Sequence, residues 1–112
     1  MHQSAIQKII HHVCSQCRAL PLSYGGIIIE FLDDLDCLGD AEYLGGRRGH
    51  IRFYRKFWEQ MSIEQKTELI IHEMCHIILE YKYPNEDCPD HGSRWRLMMK
   101  VSGIHSPRAC LD

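Results

Sequence analysis

An α+β fold is expected for this 112-residue chain, on three observations. Apolar side chains recur at helical spacing near the start. A continuous strand-like segment rich in β-branched residues, Ile27-Ile28-Ile29-Glu30-Phe31-Leu32, follows. A long and strongly apolar helical stretch begins at residue 63. These predict an N-terminal helix, a small sheet of about three strands, a central helix and a C-terminal helix. The length and composition, 45% hydrophobic and 25% charged, fit one ordinary domain over residues 1–112. They exclude disordered, collagen-like and low-complexity classes.

Ile6, Ile9, Ile10, Val13, Cys14, Cys17 and Leu20 share one face of the first helix, which is expected to stop near Pro21. Residues 27–32 read as a buried strand. Residues 37–44 read as a second strand, weakened by Gly39, Asp40 and Ala41, with Gly45-Gly46 as a turn. His50, Ile51, Arg52, Phe53 and Tyr54 alternate apolar with polar, as in a strand buried on one face. Ser62 with Gln65 forms a capping box, opening a helix to about Tyr81 whose apolar residues fall on most sides. Such a helix belongs in the middle of the domain. Residues 82–90 are a Pro- and acid-rich loop. The last helix starts near His91 to Ser93, carries Trp95, Met98, Met99 and Ser102 on one face, and ends at Gly103.

The central helix contains His72-Glu73-Met74-Cys75-His76, an H-E-x-x-H. Residues four apart lie one turn apart on one face, so both imidazoles reach one metal ion. Glu73 stands beside them as a base that need not be a ligand. At this composition the motif arises by chance about 0.04 times in such a chain, so it needs a second signal. A catalytic zinc takes three protein ligands. The extended motif with a third His six residues on fails, because Leu79 and Lys82 stand where Gly and His are required. Glu80, one turn past His76, reads as a solvent or supporting group. His91 is the better third ligand, in Asp90-His91-Gly92-Ser93-Arg94-Trp95, with Gly92 letting the backbone pass close.

Together these motifs resemble the SprT-like zinc metallopeptidase domain of the SprT/Spartan family. The family pattern is H-E-x-x-H on a helix, then a downstream H-G-x-x-aromatic. The similarity covers about residues 24–101 and includes the stretch from Gly49 to Gln65. It implies a zincin-like fold, one Zn²⁺ held by His72, His76 and His91, and Glu73 as general base. It also implies hydrolysis of peptide bonds, with Glu73 taking a proton from water and passing it to the leaving amine. Here Trp95 replaces the commoner Phe, and no Cys-rich zinc ribbon follows, so a minimal form is expected.

Charge is uneven. Residues 1–46 and 59–112 are net acidic, whereas 47–58 hold Arg47, Arg48, Arg52, Arg55 and Lys56 with no acid. Phe53, Tyr54, Phe57 and Trp58 interleave with them. Cations beside aromatics suit a nucleic-acid strand, single-stranded DNA above all, and the resemblance points toward DNA-bound or DNA-crosslinked protein as substrate. The bland alternative is a solvated strand whose arginines prevent edge aggregation. The strand of His50, Ile51, Arg52, Phe53 and Tyr54 is expected at a sheet edge, where it would align an extended peptide. Other readings are a zinc-bearing nucleic-acid module with little proteolysis, which the intact Glu73 disfavours, and a partner-recruiting structural metal domain, which a closed fourth coordination position would favour and an open one disfavour. Cys14-x-x-Cys17 lies on an apolar face and reads as core packing rather than a metal site. The absence of a signal peptide or membrane span predicts an intracellular protein with reduced thiols.

Overall fold

The computed structural model describes residues 1–105 of the chain. In order these form α1 (Gln3–Gln16), α2 (Leu20–Ser23), β1 (Gly26–Leu32), β2 (Gly39–Gly45), β3 (Arg48–Tyr54), α3 (Arg55–Trp58), α4 (Ile63–Lys82) and α5 (Ser93–Val101). The α+β expectation holds, with a mixed three-stranded sheet in the order β1-β3-β2. β1 runs parallel to β3 and β2 antiparallel to it. None of the described helices is long and apolar enough to cross a membrane.

The first helix ends earlier than the apolar spacing implies. Arg18 takes a left-handed conformation, φ 56°, and the Ala19 N–H reaches back to the Cys14 carbonyl at 2.7 Å. That bond satisfies an orphan carbonyl and ends α1. Pro21 is not the stop. It occupies the first turn of α2, where its missing N–H costs nothing.

β1 is a sheet edge rather than a strand buried on both faces, and Ile28 is 54% exposed. The expectation that His50, Ile51, Arg52, Phe53 and Tyr54 form an edge is also corrected. They lie on β3, hydrogen-bonded on both sides, so no main-chain edge is left for a substrate. The one-sided burial does hold: Gly49, Ile51 and Phe53 face the core. The β2–β3 turn runs through Gly45 and Gly46, at φ 90° and 58°, angles that residues with a Cβ rarely adopt. α3 was not expected. It absorbs Arg55 and Lys56 and turns Trp58 inward, where it stacks on Phe53 at 4.5 Å between ring centroids.

α4 is the central element. Ser62 and Gln65 close a reciprocal capping box at its start, worth about 1 kcal/mol. Its middle, Leu69 through Cys75, is buried, and it packs against α1, α5 and β2. The sheet approaches it closely at Gly49, which has no side chain. A Cβ on Gly49 would lie 2.9 Å from Ile77 Cδ1. Met98, Met99 and Trp95 of α5 complete the core as expected.

Candidate metal centre

His72 and His76 project from successive turns of α4, and His91 comes from the loop that leads into α5. The three imidazoles converge. His76 Nε2 lies 3.3 Å from His72 Nε2 and 3.1 Å from His91 Nε2. Nitrogens about 2.0–2.1 Å from a tetrahedral zinc stand about 3.3 Å apart, so the observed spacing fits a tetrahedral ion. Among the described residues this is the cluster of His, Cys, Asp and Glu able to hold a metal. His72 is fully buried and the other two are half-buried. A closed back and an open front suit a site that must admit a reactant.

Trp95 is the back wall. Its ring lies 4.8 Å from His72, 5.5 Å from His76 and 4.6 Å from His91, centroid to centroid. Its indole N–H donates to the His72 carbonyl at 3.4 Å. One buried side chain therefore touches all three imidazoles. The sequence marked Trp95 as a motif aromatic and as core; its contact with the whole triad was not legible there.

His91 itself takes the left-handed conformation, φ 59°. Gly92 does not: its φ is −77° and it serves as the N-cap of α5. Its lack of a side chain matters against Pro89, whose carbonyl oxygen would sit 3.0 Å from a Cβ there. So Gly92 makes room for the loop rather than for the metal. That loop is tied down by Arg94, which bonds Glu86 and lies over the Tyr83 ring at 3.8 Å.

Glu73 is fully buried between α4 and the start of β2. In front of the triad lies a cleft of about 420 Å³ reached by His76 and lined by Asp40, Ala41 and Tyr43 of β2 and by Glu80, Tyr83 and Asp87. Glu80 is exposed on this cleft wall, outside the three-imidazole cluster, which agrees with a solvent role.

The basic block divides. Arg52 pairs with Asp40 at 2.5 Å and approaches Glu42 at 3.7 Å. Arg55 pairs with Asp33 at 2.8 Å. Arg47 and Arg48 are exposed at the β2–β3 turn, and Lys56 is exposed on α3. Of the interleaved aromatics, Phe53 and Trp58 are core residues, Tyr54 is half-buried and Phe57 is exposed. His50 pairs with Glu30 at 2.9 Å on the outer sheet face.

Cys14, Cys17 and Cys75 are buried thiols, in line with core packing; Cys110 lies outside the described residues. Burial, then the neighbouring Cys17, pushes Cys14 up to about 12. Cys17 is lowered to about 7, first by its hydrogen bond with Cys75, then against desolvation by Ser102 and the charge of Lys82. Lys82, at the place where an extended motif would need His, instead donates to the Cys17 carbonyl at 3.0 Å.

A helix bearing H-E-x-x-H, a third imidazole from downstream and a small mixed sheet define a metallopeptidase-type domain. The SprT-like family model matches residues 23–110, and the chain belongs to that family of zincin-like metallopeptidase domains. No curated protein and no solved structure matches the chain.

Proposed function

We propose that this chain is a zinc-dependent endopeptidase in which His72, His76 and His91 hold the ion and Glu73 is the general base. The convergence of three Nε2 atoms, with His76 on the wall of an open cleft, carries this reading. Zinc supplies Lewis acidity there, lowering the pKa of water from 15.7 to roughly 7 and polarising a carbonyl. The three imidazoles offer neutral nitrogen donors, and Trp95 fixes their ring planes. Glu73, kept from bulk solvent, takes the proton of the attacking water and returns it to the leaving amine.

β2 is the sheet edge that borders the cleft, through Asp40, Ala41 and Tyr43. An extended peptide laid along it by strand addition passes the triad. This takes over the aligning role first expected of β3. Protein bound or crosslinked to DNA is the proposed substrate class, with Arg47, Arg48 and Lys56 as the cations left to meet phosphate. The carboxylates of the cleft repel DNA, which keeps a nucleic-acid strand on the outer surface.

The test is cleavage of an unfolded protein by zinc-loaded enzyme, with and without single-stranded DNA. Cleavage that stops on chelation and returns with zinc is the expected result. Cleavage indifferent to chelation overturns the reading.

A further inference from the structure

We infer that Arg96 is a positioning residue for the metal site: its guanidinium holds the His91 carbonyl and so keeps the His91 backbone in the conformation that brings the imidazole to the triad. The inference rests on His91 being a ligand. His91 is left-handed, φ 59°. It lies in the turn Pro89 to Gly92, which the Gly92 N–H closes by donating to the Pro89 carbonyl at 3.1 Å. His91 is the third residue of that turn, where a positive φ ordinarily calls for Gly or Asn. Residues with a Cβ disfavour this region. One held there persists only where its surroundings fix it.

Arg96 acts on the backbone of the ligand itself. Its Nε donates to the His91 carbonyl at 3.1 Å. Arg96 is the fourth residue of α5, and its own N–H bonds the Gly92 carbonyl at 2.9 Å, so the helix carries the guanidinium back over the turn. The adjoining Trp95 is fully buried against all three imidazoles and anchors that helix. Arg94 ties the loop farther from the ligand, at Glu86 and Tyr83. Turning His91 to a negative φ would swing its carbonyl off Arg96 and its imidazole away from His76 Nε2, now 3.1 Å distant. One backbone state therefore serves both contacts. The fraction of chains in that state scales the apparent metal affinity, and the Arg96 bond raises it. Charge alone acts with the opposite sign, since a cation repels a zinc ion and its loss would tighten binding.

The experiment uses the full chain as wild type, Arg96→Gln, Arg96→Met, His91→Ala, and the double variant of Arg96→Met with His91→Ala. Gln places its amide nitrogen as many bonds from Cα as the Arg Nε, and so keeps a donor without the charge. Met has similar length and no donor. Arg96 is exposed, so neither change disturbs the core. Affinity for Zn²⁺, measured by competition with a chromophoric chelator, is the readout and needs no cleavage. Arg96→Met should weaken zinc binding about fivefold, as the loss of one ordinary hydrogen bond does, and Arg96→Gln should stay within about twofold of wild type. In the His91→Ala chain Arg96→Met should add no further loss. The inference is overturned by wild-type or tighter binding in Arg96→Met, by equal losses in the Gln and Met variants, by the same loss with and without His91, or by loss of the fold in Arg96→Met. Wild-type affinity in His91→Ala overturns the ligand assignment itself; a weakened His91→Ala beside an unaffected Arg96→Met overturns only the positioning role.

Discussion

The Nε2 atoms of His76 and His91 stand 3.1 Å apart although fifteen positions separate them in the chain. An ion held there links α4 to the loop before α5, and binding to the folded state alone stabilises it. At free zinc 100-fold above Kd this linkage amounts to about 2.7 kcal/mol, or roughly 10 °C in Tm for a domain of this size. His91→Ala is expected to remove most of that zinc-dependent rise while leaving the metal-free Tm within a few degrees. Scanning calorimetry with zinc and with chelator measures it. An undiminished rise in the variant would remove His91 from the ligand set.

Trp95 supports the triad from behind, so its two substitutions should separate packing from ligand orientation. Trp95→Ala empties a fully buried site and is expected to cost about 3–5 kcal/mol. Trp95→Phe keeps a ring but loses the bond to the His72 carbonyl, a loss of about 1 kcal/mol. Denaturant titration gives both values. Zinc affinity should weaken more in Trp95→Ala than in Trp95→Phe; equal affinity in both would mean that the wall does not orient the ligands.

The divided basic block makes its members unequal. Arg47 and Arg48 are exposed and Arg52 is engaged by Asp40 and Glu42. Replacing Arg47 and Arg48 by Ala should make the salt dependence of single-stranded DNA binding shallower by about 1.4 in log–log slope. Arg52→Ala should leave that slope almost unchanged. Fluorescence anisotropy over a salt series distinguishes them, and no binding at low salt would end the DNA proposal.

Cys17 is lowered from 9.0 to about 7 by its hydrogen bond with Cys75 and, behind that, by Ser102 and Lys82. Between those pH values the folded chain has released a proton that the unfolded chain still holds. Stability from this group therefore rises with pH from about 7 to about 9, and is lost as pH falls through about 7. Thiolate absorbance should show a transition near pH 7 that Cys17→Ser lacks. Identical titrations would contradict the assignment.

Much of the site was legible because H-E-x-x-H is a local pattern that one helix converts directly into geometry. The capping box, the α4 boundaries and the α5 face were legible for the same reason. Sheet order was not, since strands with similar alternation do not declare which of them is central. Alternation alone therefore points to β3 as the aligning edge, whereas the edge strand beside the cleft is β2. Gly39 and Ala41 lowered the strand reading of β2 by propensity, yet β2 forms, antiparallel to β3. The early end of α1 was hidden because Arg18, an L residue, takes the left-handed cap where Gly is customary.

As the proposed general base, Glu73 performs chemistry that the three imidazoles alone do not. Zinc stoichiometry and cleavage of an unfolded protein, measured side by side in wild type and Glu73→Gln, test it directly. One zinc per chain in both proteins, with cleavage lowered at least about 100-fold in the variant, is the predicted result. Cleavage by Glu73→Gln at the wild-type rate would contradict it.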